Sequence, residues 1–157
     1  MKIKLLFIGK EDAEMFQQAI DFYTKKIQFY NPFETIAIPY LKNTKSLSES
    51  EQKKREGELI LKKIENGDFV VLLDENGKEK TSVDFSHFIQ QNLNSGIKTV
   101  LFIIGGAYGF SDEVYERANQ KLSLSRMTFP HLMTRLVFVE QMYRSFTILR
   151  NEPYHHQ

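Results

Sequence analysis

The sequence predicts an α/β fold, an open and mostly parallel sheet flanked by helices. Residues 69–73 and 100–104 are continuous apolar runs, as strands covered on both faces require. Between such runs lie segments with apolar residues at helical spacing, separated by turn signals such as Asn66-Gly67. Strands alternating with helices in this way build a sheet with helices on its faces. No internal repeat or linker interrupts the pattern, so residues 1–157 read as one domain.

The elements follow in order. Residues 1–9 read as a buried strand; the basic start is too short for a signal peptide and runs at once into Gly9 and acidic residues. Glu11, Asp12 and Glu14 suit a helix N-terminus, and Lys25 and Lys26 suit its end. That helix carries a broad apolar face, with Met15, Ala19, Phe22 and Lys26 on one stripe and Phe16, Ile20, Tyr23 and Ile27 beside it. Asn31-Pro32 stops it. Residues 33–38 are rich in strand formers, and Pro39 closes them. The polar stretch 40–55 reads as a mobile loop entering a helix, which has Ser48 and Glu51 at capping-box spacing and ends near Ile64. A strand at 69–73 gives way to a loop at Asp74-Glu75-Asn76-Gly77.

Ser82 is a candidate cap for a helix with Phe85, Phe88, Ile89 and Leu93 at helical spacing, and Gly96 ends it. After the strand 99–104 comes Gly105-Gly106-Ala107-Tyr108-Gly109, and Ser111-Asp112-Glu113 opens the next helix. A short strand at 122–125, the loop 126–130 and a last helix at 131–150 follow, the helix with Leu132, Leu136, Val139, Tyr143 and Phe146 on one face. The tail is Asn151-Glu152-Pro153-Tyr154-His155-His156-Gln157.

Composition excludes several chemistries. The 157 residues include no cysteine, so thiol catalysis, iron–sulfur ligation and zinc ribbons are out, and the absence of a disulfide framework suits a reducing cytoplasm. A chain of this size buries roughly 70% of its unfolded surface without staples. The apolar runs fall far short of the roughly 20 residues a membrane span needs. With 21 Lys+Arg against 20 Asp+Glu, the chain has no overall field to draw in nucleic acid, and an RNA partner must be met by a local basic patch.

Ligands of open parallel sheets bind beyond the C-terminal strand ends, which selects the loops after Leu73, Ile104 and Ser125. The glycine cluster permits close backbone approach to a ligand, or serves as a tight turn. It is neither G-x-G-x-x-G nor a Walker A loop. His131 at a helix start either contacts a ligand or caps and solvates. Arg135, Arg144 and Glu140 are each open between a solvated or salt-bridged role and a functional one. No metal is expected: His87 is remote in sequence, and the adjacent His155 and His156 supply no tetrahedral set. No G-x-S-x-G elbow marks a serine hydrolase.

Residues 101–109, 122–131, Arg135, Glu140-Gln141-Met142-Tyr143-Arg144 and Pro153-Tyr154-His155 resemble the RlmH family of SPOUT-class methyltransferases. Ile8-Gly9-Lys10 and the Lys54-Glu56-Gly57 segment extend the resemblance over essentially the whole chain. The resemblance implies methylation of N3 of a pseudouridine in large-subunit (23S) ribosomal RNA, on assembled ribosomes, in the cytoplasm. It implies a SPOUT fold with a C-terminal trefoil knot, one of the rare exceptions to unknotted topology. It also implies a homodimer and S-adenosyl-L-methionine as cofactor. Carried onto matching positions, the cofactor contacts are Leu73, Gly105, Leu124, Ser125, Arg126, Met127, Thr128 and Phe129, with Met127 as wall rather than chemistry. Tyr154 and His155 complete the active site: His155 for proton removal or substrate placement, Tyr154 for stacking or hydrogen bonding to the base. Arg135 and Arg144 become candidates for phosphate or base contact, and His131 is structural.

The family tail commonly has a basic residue after Tyr-His where this chain has His156, which implies a weaker phosphate contact when that histidine is neutral. The other readings are a SPOUT methyltransferase acting on another RNA, such as transfer RNA, and a non-catalytic ribosome-associated factor.

Overall fold

The structure, a computed structural model, describes residues 1–9 and 14–156. The expected acidic helix start at Glu11 and Asp12 lies outside them. Five strands, β1 (Lys2–Ile8), β2 (Phe33–Ile38), β3 (Phe69–Glu79), β4 (Thr99–Ile104) and β5 (Gln120–Ser123), alternate with five helices. These are α1 (Glu14–Gln28), α2 (Glu49–Leu61), α3 (Ser82–Asn94), α4 (Asp112–Arg117) and α5 (His131–Leu149), with a 3₁₀ turn at Thr44–Ser46.

The sheet runs β2-β1-β4-β3-β5 and every pairing is parallel. Each central strand is apolar on both faces, and successive side chains divide between two cores. Ile3, Leu5, Phe7, Val71, Leu73, Val100 and Phe102 meet α1, α3 and α5 on one side. Leu6, Ile8, Val70, Leu72, Leu101 and Ile103 meet Ile60 of α2 and Val114 of α4 on the other. The α5 helix packs against both α1 and α3. It therefore buries Phe138, Val139 and Met142 completely, which makes its apolar face wider than the single stripe read from sequence.

Local chemistry explains the helix starts. Ser48 and Glu51 form the expected capping box, with Glu51 N–H donating to Ser48 Oγ (3.2 Å) and Ser48 N–H to Glu51 Oε2 (2.9 Å). Thr81, not Ser82, caps α3: Asp84 N–H donates to Thr81 Oγ1 (3.0 Å), while the Ser82 hydroxyl donates to Gln141 Oε1 (2.7 Å) on α5.

Three sequence readings are corrected. The strand β3 continues to Glu79, and the expected loop 74–77 is a bulge within it: both Leu73 and Lys78 pair with Leu122 across the register shift, and Glu79 pairs with Ser123, an edge pairing that periodicity within β3 does not encode. The apolar face of α1 splits, because Ile20 and Ile27 turn inward while Met15 and Phe22 stay exposed. The fifth strand begins two residues earlier than expected and ends at Ser123.

Candidate functional site

Because β4, β3 and β5 are neighbours, the chain segments leaving their C-terminal ends adjoin and enclose a crevice of about 670 Å³. Leu73, Ile104, Leu124 and Phe129 give it apolar wall, and residues 105–109 give it backbone. Glu49, Ser50 and Lys53 of α2 and His131 and Thr134 of α5 close its flanks. Of the expected cofactor contacts, Leu73, Gly105, Leu124, Ser125, Met127, Thr128 and Phe129 line this crevice. Arg126 does not: Met127 N–H bonds back to Ser125 Oγ (3.0 Å), and this tight turn leaves Arg126 exposed at its tip.

The glycine loop is braced from behind. Gly109 N–H donates to Gly106 C=O (3.1 Å), and Gly109 sits at φ +79°, in the left-handed region. Against Gly106 lies the carboxyl group of Glu56, only 2% exposed, so close that a Cβ at Gly106 would overlap it and lie 2.7 Å from its Cδ. Gln52 Nε2 donates to Glu56 Oε1 (3.0 Å), and Oε2 has no hydrogen-bond partner. Burial pushes the Glu56 carboxyl above the usual glutamate range, with Gln52 pulling weakly the other way.

Two expected results follow. Gly106→Ala should displace the loop and weaken ligand binding in the crevice at least tenfold, and adding Glu56→Ala, which empties the space the methyl needs, should restore much of it; a harmless single variant in calorimetric titration would contradict this packing. Glu56 holds its proton more tightly when folded, so its contribution favours the fold at acid pH and is lost as pH rises from the unfolded glutamate value through the raised folded one. Urea titrations of Glu56→Gln across that interval should therefore show a flatter pH dependence than the parent chain.

Other polar groups converge on the crevice. The Tyr115 hydroxyl donates to Asp74 Oδ2, and Asn76 N–H donates to Asp74 Oδ1 (2.7 Å). Burial, reinforced by Asp74, pushes the Tyr115 hydroxyl well above its usual value, so it remains a donor. Burial, then the nearby Arg135 charge, lowers the His131 pKa. Among the lining residues Glu49, Asp74 and Glu75 carry negative charge and Lys53 positive charge.

A second cluster is built on α5 and the tail. Glu140 Oε1 accepts from Arg144 Nη2 (2.6 Å), Arg144 Nε (3.0 Å) and the Tyr154 hydroxyl (3.0 Å). The Tyr23 hydroxyl of α1 lies 3.3 Å from that of Tyr154, and Arg144 Nη1 lies 3.3 Å from His155 Nδ1. The Arg144 guanidinium also stacks 4.7 Å from the Tyr154 ring centroid. The tail is held there because Glu152 N–H donates to Thr147 C=O (2.9 Å) and the Tyr30 hydroxyl donates to Glu152 Oε2 (2.5 Å). Burial and the bonds to Tyr23 and Glu140 push the Tyr154 hydroxyl far up, so it too stays protonated.

Arg144, Tyr154 and His155 are thus brought together, but none of them lines the crevice of its own chain. Arg135 stands apart from them, 3% exposed, with its guanidinium 4.2 Å from the Phe7 ring centroid. Sequence reasoning missed Glu56, Asp74, Tyr115 and Tyr23. Asp74 and Tyr115 are 41 residues apart, and nothing local signals their bond. Among the described residues no group of three or more metal-ligating side chains gathers, and no helix is long and apolar enough to cross a membrane.

Comparison with known proteins identifies the family. A family model described as predicted SPOUT methyltransferase matches residues 1–155. The chain is 58% identical over its full length to a Flavobacterium johnsoniae protein named Ribosomal RNA large subunit methyltransferase H, and the match covers all of that protein. Proteins of the same name from Parabacteroides distasonis and Bacteroides thetaiotaomicron are 54% and 49% identical, again with both chains fully covered. The fold is also that of a probable methylase family protein from Haemophilus influenzae, with a TM-score of 0.53 at 11% identity over 95% of this chain and 66% of that one. Strand order, crevice and full-length likeness agree: the chain belongs to the SPOUT methyltransferases, in the family of the ribosomal RNA large subunit methyltransferase H proteins.

Proposed function

We propose that this chain methylates N3 of a pseudouridine in large-subunit ribosomal RNA, acting as a homodimer on assembled ribosomes in the cytoplasm. The carrying observation is likeness over every residue to proteins bearing the large-subunit methyltransferase name.

The methyl donor is S-adenosyl-L-methionine, whose sulfonium supplies an activated methyl group. The crevice suits it. A volume of about 670 Å³ lies within the range of small-molecule sites, and a glycine loop of exposed backbone beside Leu73, Leu124 and Phe129 suits a flat adenine. Glu49, Asp74 and Glu75 suit the positive sulfonium and ammonium groups.

The tail cluster is assigned to the RNA base. An arginine only donates, so the Arg144 contact at His155 Nδ1 is a hydrogen bond in the tautomer that carries its ring proton on Nε2. His155 then offers a donor to an oxygen of the target base, which favours substrate placement over proton removal. Tyr154 stays protonated and adds a ring for stacking, while Glu140 holds both Arg144 and Tyr154 in place. Arg144 retains its charge, because the Glu140 bond raises its pKa.

Crevice and tail cluster are separate within one chain, so a second copy is needed to bring them together. Support for that contact comes from Met15 and Phe22, seven residues apart on α1, and Phe29 just beyond it, which are 79%, 55% and 85% exposed. Tyr23, on the same helix, bonds to Tyr154. Phe22→Glu with Phe29→Glu should convert a dimer to a folded monomer without methyl transfer, as read by sedimentation; a parent chain that sediments as an active monomer would refute the dimer.

The test of the activity is transfer of labelled methyl to intact ribosomes, separated subunits, free ribosomal RNA and transfer RNA. Label confined to large-subunit RNA is the expected outcome, and label in transfer RNA would overturn it.

A further inference from the structure

We propose that Lys78, Lys80 and Lys121 form a phosphate-binding groove at the β5 edge of the sheet, and that a strand of the substrate RNA runs from the cofactor crevice along this edge into it. The inference deepens the RNA-methyltransferase reading and rests on it. The three lysines line one cavity of about 310 Å³, shared with Gln91 and Gln120. Lys78 lies near the end of β3 and Lys80 just beyond it, while Lys121 comes from the paired strand β5, and all three meet in this cavity.

None of the three ammonium groups makes a hydrogen bond or ion pair with another described residue. Lys80 lies 5.5 Å from the Phe88 ring centroid and Lys121 5.5 Å from that of Tyr115, contacts that hold the ammonium groups without neutralising them. No acidic residue lines the cavity. The acid that senses Lys80, Asp84, is occupied by the Thr81 hydroxyl (2.8 Å). In a chain whose formal net charge is only +1, three cations without an ion-pair partner in one groove, with Asp84 near Lys80 the only acid that senses them, are a local surplus of the kind RNA binding needs.

The groove is also continuous with the crevice. A middle cavity of about 590 Å³ shares Asn76 and Tyr115 with the crevice and Gln120 and Lys121 with the groove. Tyr115 is the hinge of the path, since its hydroxyl bonds Asp74 at the crevice while its ring faces Lys121. Amides and an aromatic ring along a lysine-lined track match a single-stranded backbone with bases stacked or hydrogen-bonded beside it. No acid lines the middle cavity either.

The test compares the full-length parent, a Lys78→Ala/Lys80→Ala/Lys121→Ala variant and the corresponding triple arginine variant. Each is measured for S-adenosyl-L-methionine affinity, methyl transfer to large-subunit particles, and salt dependence of binding to them. The alanine variant should keep cofactor affinity and kcat, raise KM for the particles roughly tenfold or more, and flatten the slope of log affinity against log salt by about two, with the arginine variant close to the parent. An unchanged KM and slope in the alanine variant, with the parent active, overturns the groove while leaving the methyltransferase reading intact. The same result accompanied by new self-association shows that the lysines only guard an exposed sheet edge, and overturns it equally. Loss of cofactor affinity in the alanine variant, with the arginine variant equally impaired, refutes a charge-based RNA contact.

Discussion

His155→Ala should lower kcat for methyl transfer by roughly 10²- to 10⁴-fold while leaving the dissociation constant of S-adenosyl-L-methionine unchanged. The expectation follows from geometry. His155 meets Arg144 at Nδ1, within a cluster tied to Glu140, Tyr154 and Tyr23, and no member of that cluster lines the cofactor crevice of its own chain. On the proposed assignment, losing the imidazole removes the contact to the target base and leaves the walls of the crevice in place. His155→Gln separates placement from proton removal, because glutamine keeps a donor and has no basic nitrogen. Placement predicts that glutamine recovers a measurable part of kcat; an identical loss in both variants would favour proton removal, and equal loss of cofactor binding would sink the assignment altogether.

Gly77→Ala should be the most damaging single methyl group in the fold. A Cβ there would lie 2.5 Å from the carbonyl carbon of Leu122, 2.6 Å from its nitrogen and 2.7 Å from that of Ser123. These are backbone atoms of β5, which cannot swing aside as a flexible side chain can. Relief requires parting the end of β3 from β5, and Leu124 and Ser125, which wall the crevice, leave β5 directly. The expected cost is about 1–3 kcal/mol or more, a drop in Tm of roughly 3–10 °C for a chain this size, together with weaker cofactor binding. A melting curve and cofactor titration indistinguishable from the parent would show that the crossing at Gly77 is looser than described.

Much of this was legible in the sequence because the signals were local. Continuous apolar runs marked β3 and β4 as central strands, Ser48 with Glu51 marked the start of α2, and the loop ends that close the crevice followed from parallel-sheet geometry. What stayed hidden depends on distant pairings. Residues 74–77 look like a turn, since Asn76-Gly77 is a turn signal, and they bulge out of a strand that resumes because β5, more than 40 residues later, pairs with Lys78 and Glu79. Glu56 and Gly106 are ordinary residues apart and a tightly fitted pair together. Arg135 and Arg144 look equivalent on one helix, but only Arg144 lies on the face that meets the tail, whereas Arg135 is turned under Phe7. The tail is anchored by Tyr30, Thr147 and Tyr23 through bonds that no motif announces.

The most direct test of the central claim uses ribosomes from cells lacking this protein. They are incubated with the purified chain and S-adenosyl-L-methionine, and the nucleosides of each RNA are then analysed by mass spectrometry. One new methyl group is expected, on N3 of a pseudouridine in large-subunit RNA, absent without the protein and absent with His155→Ala. A methyl group on another RNA, or none despite tight cofactor binding, would contradict it.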